Sequence, residues 1–288
     1  MLMLTHFTRQ NNKMKLKKSL SAVSMAIRNS MELSRQQSPL LEKSTTSGFS
    51  IKIANTLEER EAAFHLSYQV YLEKGYVKEN GNQWLIQTYD SSAETVIFVV
   101  KDRAGVIIGS ATLVFKGSVE LPIEKTFGKE IKKLNTPENE IGEVSRLVIS
   151  SKHRNSKEIL VLLFNYMFIY GFHVKHINSC IVQVNPRHKT YYKKLLKFEE
   201  LSEEKLCPSV QNAPAVLLHL PLSTYRSEVL GCNHNKNKKN VSLYSYFIKP
   251  EQENLVAYYL KNQVKPISQE EKTYFGFIET TFGKAVCV

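Results

Sequence analysis

The sequence predicts a mixed α/β fold, in which a central twisted sheet is flanked by helices. Three observations support this fold class. Residues 95–115 contain two apolar strands around a turn at 102–105, which is the pattern of a β-hairpin. Residues 141–198 then run in the order strand, basic turn, long apolar helix, strand and short helix. With 288 residues, of which 42% are hydrophobic, the chain can bury one sizeable core.

The elements on either side of these two segments are less regular but still recognisable. They are an alternating strand at 49–54, a helix at 55–75, a loop at 76–92 and a last strand at 213–222. The helix has a capping residue at its start, either Asn55 or Thr56. Glu58 and Glu59 follow in its first turn, where negative charge is favoured. The segment therefore predicts a capped helix, and apolar residues such as Ala63 and Leu66 give it an apolar side.

Positive charge is concentrated at the start of the chain. Residues 1–47 hold 8 Lys and Arg against 2 Glu, and so carry half of the net charge of +12. Such a segment indicates a disordered leader, or a tail that makes peripheral contact with a membrane surface. Nucleic-acid binding is not expected, because the segment has one aromatic residue and no binding module. We therefore divide the chain into a basic leader (1–47), a folded domain (48–225) and a linker with a C-terminal extension (226–288).

The composition also argues against several classes of protein. The longest apolar run, 159–172, includes Asn165 and is shorter than the ~20 residues that span a bilayer. The four cysteines show no paired spacing, which predicts reduced thiols in a cytoplasmic protein. His173, His176 and Cys180 are close in sequence, but they straddle a helix end and the next strand. Their side chains should diverge, so no metal site is expected.

A set of short motifs occurs in order within residues 49–222. They are YQVY at 68–71, Trp84, Tyr89-Asp90, LPIEKTFG at 121–128 and GEVSRLVI at 142–149. The set resembles the long-chain N-acyl amino acid synthases of the GCN5-related N-acetyltransferase (GNAT) superfamily and, more distantly, the acyl-homoserine lactone synthases. The resemblance implies a GNAT-like acyltransferase fold. It also implies that the Glu-x-x-Arg pair, Glu143 and Arg146, lies at the active site.

Three functions are compatible with this resemblance. The first is the transfer of a long-chain acyl group to the amine of an amino acid or a similar small amine, and the second is ordinary acetyl-CoA-dependent N-acetylation. The third is a non-catalytic protein that binds acyl carrier protein or fatty acid and regulates another process. The presence of Glu143, Arg146 and the Tyr191-Tyr192 pair favours an enzyme. The lack of glycine in the basic turn argues against ordinary acetylation.

The residue types fit acyl transfer from a thioester to an amine. The amine attacks only when neutral, and a carboxylate such as Glu143 can take its proton. Backbone N–H groups of the strand at 144–149 can stabilise the oxyanion that develops on the carbonyl. The leaving thiolate needs a proton, which Tyr191 or Tyr192 can donate from the start of a helix. We therefore predict Glu143, Arg146, Tyr191 and Tyr192 as catalytic residues.

Two roles are open for Arg146. It either clamps the carboxylate of the acceptor with its planar guanidinium, or forms a structural ion pair with Glu143 or Asp90. We place Trp84 and Asp90 on the acceptor side. For Asp90 the alternative is a turn residue, because an Asp that ends a Thr-Tyr-Asp loop often caps a turn.

The basic turn at 151–157 is the predicted binding site of the acyl donor. Acetyltransferases wrap a pyrophosphate with a Gly-rich turn, whereas this turn has no glycine. A helix start with Lys and Arg can still hold one phosphate. This favours acyl carrier protein, which has an acidic surface, over acyl-CoA, and no further cofactor is expected. The predicted donor-binding residues are Val148, Lys152, Arg154, Ser156 and Lys157. Basic residues Lys193, Lys194 and Lys197 also fit this partner, or belong to a solvated helix face.

The helix at 159–172 is apolar on most of its surface, which is typical of a central helix packed on a sheet. A face of the same helix could line a tunnel for the acyl chain. Leu163, Met167 and Phe168 are the predicted residues of this acyl pocket.

Overall fold

A central mixed sheet with flanking helices organises the computed structural model, which describes residues 48–117, 120–134, 139–234, 242–279 and 285–287. The strands are β1 (Ser50–Ile53), β2 (Thr95–Lys101), β3 (Ile107–Phe115), β4 (Ile141–Ile149), β5 (Ser179–Val184), β6 (Glu199–Glu200), β7 (Lys205–Cys207), β8 (Ala213–Pro221), β9 (Phe277–Glu279) and β10 (Ala285–Cys287). The helices are α1 (Leu57–Glu73), α2 (Glu124–Leu134), α3 (Lys157–Ile169), α4 (Pro186–Leu196), α5 (Leu222–His234), α6 (Pro250–Gln263) and α7 (Gln269–Tyr274). The predicted fold class is confirmed. The predicted leader, residues 1–47, lies outside the described residues.

The main sheet has the strand order β1-β2-β3-β4-β5-β8-β6, and β7 also pairs with β8. β2, β3 and β4 are antiparallel neighbours, whereas β4 and β5 run parallel. The parallel pairing extends only from Ile141–Ser179 to Val144–Val182. Beyond Val144, β4 continues for five residues without pairing to β5. The two strands therefore separate in the middle of the sheet.

A β-bulge lies in β4 where the two strands separate. Ser110 of β3 pairs with Val148, and Thr112 pairs with Ser145, so that Arg146 and Leu147 oppose one residue of β3. Arg146 has a φ of 46°, which is a left-handed conformation that is uncommon for a residue with a side chain. A bulge of this kind leaves backbone groups unpaired and turns a side chain to a new direction. It sets the position of Arg146 relative to Glu143.

Helix α3 packs closely on the sheet. Its N-cap is Ser156, whose Oγ accepts a hydrogen bond from the Ile159 N–H at 3.3 Å. A Cβ atom at Gly109 of β3 would lie 2.8 Å from Cγ2 of Ile159, so glycine allows this close approach. The helix continues through a π-helical turn, Tyr170–Val174. Lys157–Val174 has the length and apolar composition to cross a membrane, but 61% of it is buried within the protein, as in a core helix.

The C-terminal extension contacts the folded domain through a buried carboxylate. Glu253 of α6 has no exposed surface. Its oxygens accept hydrogen bonds from Tyr225 Oη at 2.8 Å and from Arg226, and His173 Nε2 lies 2.8 Å away. The predicted boundary at residue 225 therefore falls inside α5, beside a contact that joins the extension to the domain.

This contact predicts a loss of stability on substitution. Glu253→Ala should lower the free energy of unfolding by about 3 kcal/mol, because it leaves Arg226 and His173 without their carboxylate. Urea denaturation measures the loss. The matched control is Glu251→Ala, which removes an exposed carboxylate from the same helix and should change stability by less than about 0.5 kcal/mol. Equal effects of the two substitutions would contradict this account.

Candidate active site

A large cavity opens where β4 and β5 separate. Its volume is about 1190 Å³, and its wall includes residues from α1, the loop before β2, β4, β5, α3 and α4. The four predicted catalytic residues, Glu143, Arg146, Tyr191 and Tyr192, all line this cavity. Val148 and Arg154 of the predicted donor site line it as well. Their catalytic roles remain predictions, but the structure brings them to one place.

Glu143 is a buried carboxyl group in the wall of the cavity. Its exposed fraction is 3%, and its Oε2 accepts a hydrogen bond from the Ile123 N–H at 2.9 Å. Burial raises the pKa of Glu143 to about 8 despite this hydrogen bond. Among the described residues, no Lys, Arg or His forms an ion pair with it. The group can therefore gain or lose a proton near neutral pH.

Arg146 pairs with Asp90 and not with Glu143. Its Nη1 lies 2.8 Å from Asp90 Oδ2, and its Nη2 donates to Oδ1 of the same carboxylate. Further hydrogen bonds run to the Leu85 carbonyl at 2.8 Å and to Thr112 Oγ1 at 2.9 Å. Its Nε–H is buried and finds no acceptor among the described residues. The sequence left two roles open for Arg146, an acceptor clamp or a structural ion pair. In the structure Arg146 forms the ion pair, and its partner is Asp90.

Aromatic rings hold this pair in place. The guanidinium carbon of Arg146 lies 5.4 Å from the centre of the Phe64 ring and 5.1 Å from that of Tyr89. Tyr89 Oη is 3.3 Å from Ser145 Oγ, next to the bulge. Asp90 Oδ2 also accepts a hydrogen bond from the Gln87 N–H at 2.7 Å. The loop before β2 is thus fastened to the bulge through a buried charge pair.

Five tyrosines line the cavity, and four of them have a raised pKa, which keeps their phenol groups protonated at neutral pH. Burial raises the pKa of Tyr71 to about 12, and it also raises the pKa values of Tyr89, Tyr191 and Tyr192. Tyr192 is buried, with its ring centre 5.7 Å from that of Phe164, whereas Tyr191 is partly exposed. A protonated phenol is a proton donor, which suits the predicted role.

The basic turn is only partly at the cavity. Arg154 lines the cavity and pairs with Glu73 at 3.1 Å, while Lys152 is exposed and outside the wall. Ser156 is occupied as the cap of α3. Lys157 Nζ lies 3.6 Å from the centre of the Tyr246 ring, so it contacts the C-terminal extension instead. The structure therefore does not bring Lys152, Ser156 and Lys157 to the cavity with Val148 and Arg154.

The predicted acyl pocket lies on a different face of α3. Leu163, Met167 and Phe168 are buried in the core and do not line the cavity. Leu160 and Phe164, four residues apart on another face, do so. The predicted and observed faces of α3 differ because the helix is apolar on nearly all sides. Its hydrophobic periodicity therefore could not indicate which face lines the cavity.

Trp84 also lies away from the cavity, although it was predicted on the acceptor side. Its ring centre is 5.5 Å from that of Tyr274 and 5.4 Å from that of Phe275, both in the C-terminal extension. The next residue, Leu85, does line the cavity. Asp90 lies near the cavity through its ion pair with Arg146.

Tyr71 and Lys272 are among the cavity residues to which the sequence analysis assigned no role. Tyr71 ends the YQVY motif, and that motif was the signal that could have identified it. Lys272 comes from α7, far along the chain, and no local pattern marks it. No group of three or more His, Cys, Asp or Glu suited to a metal ion occurs in the part of the chain that the structure describes.

The pKa of Glu143 predicts how stability depends on pH. The folded protein keeps the proton up to about pH 8, whereas the unfolded chain loses it near the ordinary value of 4.5. The unfolded state is therefore favoured as pH rises from 5 to 8, at ~1.4 kcal/mol for each pH unit between the two pKa values. Between pH 5 and pH 8, the free energy of unfolding of the native protein should therefore fall by at least about 2 kcal/mol more than that of Glu143→Gln.

The measurement is urea denaturation of both proteins at pH 5, 6.5 and 8. The matched control is Glu140→Gln, which removes an exposed carboxyl group just before β4. The difference between native protein and Glu140→Gln should stay constant with pH. If the difference in free energy of unfolding between the native protein and Glu143→Gln were also constant with pH, Glu143 would be ionised over the whole range from pH 5 to 8.

Comparison with known proteins identifies the family and the fold of the chain. A family model described as N-acyl amino acid synthase FeeM matches residues 62–221. The solved structure of FeeM, an N-acyl amino acid synthase from uncultured soil microbes, is 22% identical, with a TM-score of 0.56. The match covers 63% of this chain and 94% of that chain, and it shows a shared fold.

A second solved structure, the acyl-homoserine lactone synthase LasI, is 16% identical with a TM-score of 0.49, and the match covers 61% of this chain and 91% of that one. Comparison with curated protein sequences finds no match. The family model spans more than half of the 288 residues. The chain therefore belongs to the N-acyl amino acid synthase FeeM family, and it is an acyltransferase.

Proposed function

We propose that this acyltransferase moves a long-chain acyl group from acyl carrier protein to the amine of an amino acid, which yields an N-acyl amino acid. The observation that carries the proposal is the buried Glu143, with its pKa raised to about 8, in the wall of a 1190 Å³ cavity. A base is most effective when its pKa lies near the working pH. Glu143 meets this condition, as an ordinary exposed carboxylate does not.

The reaction proceeds by addition and elimination. The carboxylate of Glu143 takes a proton from the acceptor's ammonium group, and the neutral nitrogen then attacks the thioester carbonyl carbon. The carbonyl oxygen becomes an oxyanion, for which backbone N–H groups at the bulge of β4 are the donors. The C–S bond then breaks, and the leaving sulfur takes a proton from Tyr191 or Tyr192. The phenolate that remains takes the second proton of the nitrogen, which leaves a neutral amide, and Glu143 returns its own proton to water.

The dimensions of the cavity support a long acyl chain. Its volume exceeds the ~300–1,000 Å³ that is usual for a single small ligand. Apolar side chains of β4, α3 and β5 line part of it, including Val148, Leu160, Phe164 and Val182. An acyl group in contact with these residues is removed from water, which favours binding by about 0.8 kcal/mol per CH₂ group.

Positive charge at the cavity supports a carrier protein as the donor. Lys74, Arg154 and Arg187 are exposed residues of the cavity wall. Arg187 donates to Tyr76 Oη and to His188 Nε2, and pairs with no carboxylate among the described residues. These charges suit both the phosphodiester of the carrier's arm and an acidic protein surface. The turn at 151–157, without glycine, remains poorly suited to wrapping the pyrophosphate of acetyl-CoA.

The proposal includes a cytoplasmic location. Among the described residues, Cys180 and Cys207 are buried thiols that form no disulfide, which fits a reducing compartment. Contact of the basic residues 1–47 with a membrane surface remains a hypothesis, since this segment lies outside the described residues.

The role of Glu143 is tested by turnover. Glu143→Gln keeps the shape and can accept the Ile123 hydrogen bond, but it cannot take a proton. Turnover should fall by about 10²-fold or more, and the increase of rate toward pH 8 should disappear. Steady-state assays across pH, with Glu140→Gln as control, measure both. Near-normal turnover in the folded Glu143→Gln variant would remove Glu143 from the mechanism.

The donor is tested by charge reversal. Lys152→Glu with Arg154→Glu should raise the KM for a long-chain acyl carrier protein about 10-fold, and less for the matching acyl-CoA, because a protein surface meets more of these charges. Added salt should weaken use of the carrier protein more strongly. The control is Lys261→Glu on α6, away from the cavity wall. Efficient use of acetyl-CoA, without preference for carrier-bound long chains, would instead indicate an ordinary acetyltransferase.

A further inference from the structure

We infer that the C-terminal extension completes the acceptor end of the cavity, and that its Lys272 binds the carboxylate of the acceptor. The inference rests on the proposed function and deepens it. Lys272 lies on α7 and is part of the cavity wall, together with Leu85 and Gln87 of the loop before β2. It thereby gives the extension a direct place in substrate binding.

Helix α7 is held firmly on the folded domain. Glu271 forms an ion pair with Arg60 of α1, and both side chains are largely buried. Arg60 Nη2 also donates to the Lys265 carbonyl at 2.6 Å. A capping box at Ser268 fixes the start of the helix, with the Ser268 N–H 2.8 Å from Glu271 Oε2. A side chain on this helix therefore has a defined position.

Aromatic contacts place α7 beside the loop that holds Arg146. Tyr274 and Phe275 pack on Trp84, and the Phe275 ring centre is 5.1 Å from that of Phe64. The residue after Trp84 is Leu85, whose carbonyl accepts a hydrogen bond from Arg146. Lys272 therefore reaches the cavity from the side on which the ion pair of Arg146 lies.

The charges at this side of the cavity call for an anion. Arg146 is bound to Asp90 and cannot offer its two Nη atoms to a carboxylate. Lys272 is partly buried, and among the described residues no carboxylate lies within ion-pair distance of it. A carboxylate on the acceptor would supply Lys272 with the opposite charge that it lacks.

The chemical class of acceptor follows from this arrangement. The amine must face Glu143, which takes its proton, while a carboxylate on the same small molecule binds Lys272. An amino acid carries both groups, whereas a simple amine carries only the first. The family match ends at residue 221 and therefore does not include Lys272. Selection of the acceptor would thus depend on a segment beyond the shared acyltransferase fold.

The test compares acceptors with and without the carboxylate. The full-length protein and its variants receive a long-chain acyl carrier protein with the common amino acids or with their carboxamides, and product formation is followed by mass spectrometry. Lys272→Gln should raise the KM for amino acids about 10-fold with little change in kcat, and leave the KM values for carboxamides and for the donor unchanged. Lys272→Arg should restore most of the preference.

The matched control is Lys265→Gln, an exposed lysine of the same extension, which should behave as the native protein. If Lys272→Gln keeps the native preference for amino acids over carboxamides, the inference is wrong. An equal loss for both acceptor classes would also overturn it, because it would indicate a displaced extension. If the native protein acylates no amine at all, it is the proposed function that fails.

Discussion

The buried ion pair between Arg146 and Asp90 is the interaction on which the site depends. A guanidinium in the interior needs an opposite charge, because desolvation of a lone ion costs several kcal/mol. The bulge in β4 turns Arg146 toward that partner, and the partner lies on the loop before β2. The pair therefore joins the loop before β2 to the strand that forms part of the cavity wall. It also leaves Glu143 without a cation among the described residues, and burial then raises its pKa.

The sequence predicted the order of the main strands and helices, although not α2, β6 or β7, and it predicted four of the residues that line the cavity. It could do so because strand periodicity, capping residues and the family motifs are local signals. It could not decide the partner of Arg146, because that choice depends on a left-handed residue inside a strand. Nor could it choose the face of α3 that meets the cavity, since residues such as Leu160 and Leu163 are equally apolar.

The contribution of the extension was hidden from the sequence for a different reason. Trp84 was expected near the acceptor, yet its partners are Tyr274 and Phe275, which lie almost two hundred residues further along. Contacts of this kind have no periodic or spacing signature in a single sequence. They become visible only when the two segments are placed on the same face of α1.

The distance along the chain between Arg60 and Glu271 has a consequence for biosynthesis. These two residues are 211 positions apart, and their ion pair can form only after nearly the whole chain has been made. Domains fold as they leave the ribosome, beginning with the N-terminal parts. The sheet can therefore assemble while the wall that contains Lys272 is still missing. A nascent or prematurely terminated chain would have the sheet with Glu143 and Arg146, but not the segment that we propose to select the acceptor.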